Sequence, residues 1–275
     1  MTKPKLVTVL DQKTGEILAK DVLYKPQAKV SASQREGFIK KENRKVDRRH
    51  FAFADMENLR EVISVLSNVH LGYLLHLQCF IDYESQYLHN HDGKEMTKKT
   101  DIQKALGVSK ETNKRLCKAL ETNGILEKND GRYRINPKFH FKGKNKNRKV
   151  VKLFTTTLKR LCNVLSANEL GFLYKLLPYV HFETNMICIN PFEKEPQKVE
   201  FLNVKGIAEV TGLHEDNISL LLTSLRKGRI IVETIREDKR NKYFTLNPYI
   251  FYRKSGQPDN TLKGLFASSP YSPKK

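Results

Sequence analysis

The sequence predicts an α+β fold, mainly helical with small β-hairpins, in which one unit occurs twice in tandem. Three observations predict it: an internal repeat, apolar residues at helical spacing that give way to short alternating stretches, and Gly/Asn/Asp turns placed between them. The repeat carries most weight. Val65-Leu66-Ser67 recurs as Val164-Leu165-Ser166, Leu71-Gly72 as Leu170-Gly171, and Tyr83-Glu84 as Phe182-Glu183, all at an offset of 99 residues. Further on, Ile102, Gly107, Leu116 and Leu120 match Ile207, Gly212, Leu221 and Leu225 at 105, and Asn136-Pro137 matches Asn247-Pro248 at 111. The two six-residue steps fall in Asn190 to Lys198 and Ile235 to Lys242. Both are charged stretches that read as loops, where insertions are tolerated.

The first unit opens with Leu59, Val62, Ile63 and Leu66 at helical spacing. A second helix is expected from about Val69 to Ile81, with Leu71, Leu74, Leu75 and Leu77 inward. After the polar turn His89 to Gly93, Thr97 can cap a short helix that ends near Leu106. Gly107-Val108-Ser109 is a tight turn, and Ser109 caps a longer helix, Lys110 to Thr122, closed by Asn123-Gly124. Ile125 to Glu127 and Tyr133 to Ile135 are short strands around Asn129-Asp130-Gly131, a hairpin turn because Asp-Gly accepts positive φ. Helix, turn, helix and hairpin in that order make a winged helix-turn-helix. The expected organisation is a basic, partly disordered arm (1–50), a first winged helix (51–142), a basic linker (143–152), a second winged helix (153–254) and a disordered tail (255–275).

Composition bounds the partner. Among 275 residues, 50 Lys and Arg face 30 Asp and Glu, a net charge of +20 with a pI of about 9.7. Such a surplus points to a polyanion. No run reaches the ~18 apolar residues of a membrane span. The N-terminus lacks the apolar core of a secretion signal, so a cytoplasmic, nucleoid-associated protein is expected. The four cysteines are widely spaced without a C-x-x-C pair, which argues against a zinc finger or a disulfide framework.

No catalytic constellation is found. There is no phosphate-binding G-x-x-x-x-G-K-[ST] loop. His89-x-His91-Asp92 reads as a polar turn and not as a metal site, and His140-Phe141 lacks the second His of a rolling-circle initiator. Tyr133 and Tyr243 sit in the hairpins, where aromatic residues are ordinary. No enzyme activity, cofactor or metal is expected.

The stretch from Thr97 to Gly143 resembles the winged helices of MarR-like regulators, and still more the winged-helix proteins of Firmicute phages and plasmids, including RepL-like replication proteins. Ile102, Ala105, Leu106, Gly107, Val108, Ser109, Leu116, Leu120, Gly124, Ile125 and Asn136-Pro137 carry the resemblance. The opening LVTVLDQKTGEI is also similar to the start of many phage and plasmid proteins.

In a helix-turn-helix the second helix enters the major groove. Ser109, Lys110, Thr112 and Asn113 stand at its leading end, and Glu111, Lys114, Arg115 and Lys118 along its outer face, where Arg and Lys can pair with guanine and Asn with adenine. Arg132 and Arg134 extend the hairpin wing toward the backbone, and Lys144, Lys146, Arg148 and Lys149 charge the linker. In the second unit the outer face becomes Asp216, Ser219, Leu220 and Thr223, a poorer groove reader. Its basic residues are Arg226, Lys227, Arg229, Arg236, Lys239, Arg240 and Lys242. Lys40-Lys41, Arg44-Lys45 and Arg48-Arg49 form a further basic cluster in the arm. The leading expectation is a sequence-specific double-stranded DNA-binding protein that regulates transcription in a phage, plasmid or mobile element. The first alternative is a replication initiator that binds origin repeats. The second is an adaptor whose second unit contacts polymerase, another replication protein or a host protein. A homodimer fits each of these.

Overall fold

The computed structural model describes residues 5–11, 13–24, 31, 35, 49–145, 149–236 and 238–273. They belong to two compact units, Met1–Asp47 and Arg48–Lys275. In the first, β1 (Lys5–Leu10) and β2 (Ile17–Tyr24) form an antiparallel hairpin. The Asp11 carboxylate holds its turn by accepting from the backbone N–H of Lys13 (2.7 Å) and Thr14 (3.1 Å), and these bonds keep its pKa below the usual value. Part of the expected arm is thus a hairpin closed by an Asx-type turn. Lys40-Lys41, Arg44-Lys45 and Arg48 lie outside the described residues.

The second unit is α+β, with small antiparallel sheets. Its chain runs through β3 (Phe51–Asp55), α1 (Leu59–Val65), α2 (Asn68–Leu77), a 3-10 turn (Gln78–Phe80), α3 (Lys99–Leu106), α4 (Lys110–Thr122), β4 (Leu126–Asn129), β5 (Arg132–Ile135) and β6 (His140–Phe141). The same order then follows again with one addition, a second 3-10 turn (Pro196–Lys198) in the expected insertion: β7 (Val150–Phe154), α5 (Thr155–Cys162), α6 (Ala167–Leu176), a 3-10 turn (Leu177–Tyr179), the added turn, α7 (Val204–Thr211), α8 (Glu215–Lys227), β8 (Ile231–Arg236), β9 (Asp238–Leu246) and β10 (Phe251–Tyr252).

Local chemistry sets these boundaries. Ser67 and Ser166 each cap the following helix by accepting a backbone N–H, from His70 and Glu169. Gly107 and Gly212 end α3 and α7 at φ of +65° and +66°, a left-handed conformation that Gly adopts without steric cost. The start of α3 differs from expectation. Its cap is Lys98, and the Asp101 carboxylate accepts from the N–H of Thr97 and Lys98.

The central sheet has the order β10-β7-β3-β6. Neither β3 nor β7 is expected as a strand from the sequence. Both are five-residue, largely apolar runs without alternation, the pattern of strands covered on both faces. The expected linker therefore stops at β7: Val150, Val151 and Lys152 belong to the sheet, and Lys152 is buried with its ammonium on the Lys254 carbonyl (2.8 Å). α2 packs on α6 beside this sheet, and one continuous apolar core takes side chains from both runs.

Two further expectations are corrected. Of the expected disordered tail, 255–275, the described residues 255–273 pack on the unit: α9 (Asn260–Leu265), capped by Asp259, brings Leu262 and Phe266 into the interior. The insertion from Ile235 to Lys242 is not a free loop, because Ile235 pairs with Lys242 in an extended β8–β9 hairpin.

Candidate nucleic-acid interface

α4 lies across α3 at a tight turn. Ser109 Oγ accepts from the N–H of Thr112 (3.1 Å) and its hydroxyl meets that of Thr112 (2.9 Å). Leu116, Cys117 and Leu120 are fully buried, with Ile102 and Leu106 of α3 beside them. Burial pushes the Cys117 thiol up to about 11, so it stays neutral. Lys99 of α3 pairs with Glu121 of α4 (2.7 Å) and ties the two helices together; that hydrogen bond raises the Lys99 pKa.

With one face committed to the core, the 3.6-residue period turns Lys110, Glu111, Lys114, Arg115 and Lys118 to solvent. Arg115 reaches back to Glu111 (2.9 Å), both side chains largely exposed, a pair that water weakens and a phosphate can replace. Lys110, Lys114 and Lys118 make no ion pair among the described residues. Asn113 is the exception to the expected set. It is buried, its amide donates to the Lys99 carbonyl (2.8 Å), and Cys117 donates to its oxygen, so it buttresses the turn and does not face a groove.

The β4–β5 hairpin, the expected wing, also differs from the simple expectation. Arg132 pairs with Glu95 (3.0 Å) and Asp130 (3.6 Å) and lies over the Tyr87 ring (4.0 Å), and Arg134 pairs with Glu127 (2.8 Å). Arg134 is thus engaged within the hairpin, and Arg132 chiefly against Glu95 and Tyr87 of the segment that precedes α3. The exposed cation of this hairpin is Lys128, which sequence reasoning passes over. Strand alternation gives no signal for it: Lys128 shares the side of buried Leu126, and its ammonium lies over the Tyr133 ring (5.2 Å) at the exposed end of the ladder. In the linker, Lys144 is exposed, Lys149 pairs with Glu57 (2.9 Å) and covers Phe192, and Lys146 and Arg148 lie outside the described residues. Arg49 is drawn away from the basic cluster: its guanidinium stacks 3.8 Å from the Phe154 ring centroid and donates to the Gly256 carbonyl.

In the second run, Ile218, Leu221, Leu222 and Leu225 of α8 face inward. Glu215, Asp216, Ser219 and Leu220 are exposed, Leu220 to 71%. Arg226 and Lys242 share one carboxylate, Glu233, which removes much of their free charge. Lys227 and Arg229 are exposed at the helix end. The side chains of Arg236, Lys239 and Arg240, on the β8–β9 hairpin, lie outside the described residues.

Each hairpin is fastened to its preceding helix in the same way. The Asn136 amide donates to the Gly124 carbonyl (3.1 Å) and the Asn136 N–H to Ile125; the Asn247 amide donates to the Arg229 carbonyl (2.9 Å) and the Asn247 N–H to Ile230. In both cases the Asn oxygen accepts from the residue two further on, Lys138 or Tyr249.

Residues 34–166 match the family described as Firmicute plasmid replication protein (RepL), just under half of the chain. The match encloses α3, α4 and the β4–β5 hairpin. No curated protein and no solved structure matches the chain. No helix among the described residues is long and apolar enough to cross a membrane.

Proposed function

We propose that this chain is a plasmid replication protein that binds double-stranded origin DNA without catalysing a reaction itself, through two winged helix-turn-helix modules descended from an internal duplication. The observation that carries the reading is the match of residues 34–166 to a plasmid replication family over the very segment whose α4 presents Lys110, Lys114, Arg115 and Lys118 outward. Of the two roles expected for a DNA-binding chain, the match favours the initiator over the transcription regulator. The recurring element order and the recurring Asn136 and Asn247 bonds support the duplication. The charge of +20 supports a polyphosphate partner, because each neutralised phosphate releases counterions.

The test supplies the chain in trans to a marker plasmid that carries the candidate origin and maps the protein's footprint on that DNA. Replication of the marker is expected to depend on the chain and on a footprint inside the origin. A footprint confined to a promoter, with altered transcription and unchanged copy number, would return the protein to the regulators.

A further inference from the structure

We infer that a single chain acts as a covalently joined pseudo-dimer, reading one DNA site whose two half-sites are inverted relative to each other and unequal in strength. This rests on the DNA-binding reading above and adds the geometry of the target.

The contacts between the two runs are reciprocal. β3 and β7 are antiparallel with Phe53 opposite Lys152, and these two residues are themselves related by the 99-residue offset of the repeat. Gly72 of α2 abuts the Ala167 carbonyl of α6, and Gly171 of α6 abuts the Asn68 carbonyl of α2; Asn68 and Ala167, like Gly72 and Gly171, are 99 residues apart. Residue i touching j′ while i′ touches j is the mark of a two-fold, isologous contact. The outer strands obey the same relation. Phe53 pairs with Phe141 as Lys152 pairs with Tyr252, and Ala54 with His140 as Leu153 with Phe251.

From each inner strand the chain passes through the same elements to α4 or α8, and each hairpin is pinned to its helix by equivalent bonds. The relation that exchanges β3 with β7 therefore exchanges α4 with α8. Helices related by a two-fold axis meet a duplex as inverted half-sites, whereas a head-to-tail relation would meet direct repeats. The readers are chemically unequal. Where α4 presents Lys114, Arg115 and Lys118, α8 presents Ser219, Leu220 and Thr223. The α4 half-site thus takes cation contacts to guanine and phosphate. The α8 half-site takes weaker ones, such as Leu220 against a thymine methyl.

The experiment selects duplexes from a random pool with the full wild-type chain, which yields the α4 half-site. The variant S219K/L220R/T223K then gives α8 the outer face of α4. It is measured on duplexes carrying two α4 half-sites, inverted or direct, over a series of spacings. The variant is expected to bind one inverted arrangement at least tenfold more tightly than any direct one, with one chain per duplex. L220R alone changes a single exposed side chain and is expected to shift the preference in the same direction. Preference for direct repeats, or no gain from a second half-site, would overturn the inference and leave DNA binding intact. Recovery of no sequence at all from the pool would instead overturn the DNA-binding reading.

Discussion

In the proposed DNA-binding role, Lys114 and Arg115 are the side chains that distinguish base reading from ordinary surface charge. Both project from α4 on the side opposite Leu116 and Leu120, and Lys114 makes no ion pair among the described residues. Changing both to Ala is expected to weaken specific binding by about 1–3 kcal/mol for each hydrogen-bonded base that is no longer read. The paired change at Ser219 and Leu220 is expected to cost far less. Titrations at several salt concentrations check this, since removing a cation that neutralises a phosphate also flattens the log–log salt slope by about one. Equal losses from both double variants would remove the division of labour between the helices. The outward cations are legible because Leu116 and Leu120 set the helix phase. Asn113 is misread from sequence because its partner, the Lys99 carbonyl, lies in another helix and no local pattern announces it.

Among the elements, the α2–α6 pair is the most tightly constrained. A Cβ on Gly72 would run into the Ala167 carbonyl oxygen, and one on Gly171 into that of Asn68, each far inside van der Waals separation. The obstacle in each case is backbone, which cannot rotate aside as a side chain can. Gly72→Ala and Gly171→Ala are each expected to cost about 3 kcal/mol or more, toward the upper end of overpacking penalties. Thermal melting checks it: each variant should melt well below the wild type, while Gly93→Ala, in an open turn where a Cβ meets nothing within 4 Å, should lose only its φ preference. The repeat makes Leu71-Gly72 and Leu170-Gly171 visible as a pair. It does not reveal that each glycine lies against the other run, because close approach of backbones leaves no periodicity. β3 and β7 escape notice for a related reason. A strand covered on both faces is a short apolar run, and such a run also suits a buried helix.

Across the whole unit, a buried imidazole, His140, and a half-buried one, His76, contribute to the response to acid. His140 Nε2 lies 2.8 Å from the Tyr174 hydroxyl, joining the first run to the second, and burial holds its pKa down to about 3. Burial, aided by the charges of Lys159 and His91, brings His76 down to about 4. In the unfolded chain both would take a proton near the ordinary imidazole value of 6.5. Below that pH the unfolded state binds protons that the folded state refuses. Stability is therefore full above about 6.5 and falls as the pH drops toward 4 and then 3. His140→Phe, which installs the aromatic residue found at the matching position Phe251, should flatten this decline. Denaturant midpoints between pH 7 and pH 4 give the measurement, and an unchanged pH profile in the variant would show that His140 has no part in it.

What the sequence determined alone is local and periodic. Helix phase follows from Leu59, Val62, Leu116 and Leu120, turns from Gly107, Gly212 and Asp130-Gly131, and the tandem pattern from ordered matches at offsets of 99, 105 and 111. Each is written into neighbouring residues, because helix and hairpin geometry are short-range. Only the tertiary structure decided how the two runs meet: through an antiparallel β3–β7 pair, reciprocal glycine contacts and a buried His140–Tyr174 bond. It also decided which cations remain available. Arg132 finds Glu95 in the segment before α3, Arg134 finds Glu127 across the first hairpin and Arg226 an acid on β8, while Lys110, Lys114 and Lys118 keep a solvent face. Partners chosen across the chain depend on packing, and packing depends on shape contributed by residues a hundred positions apart.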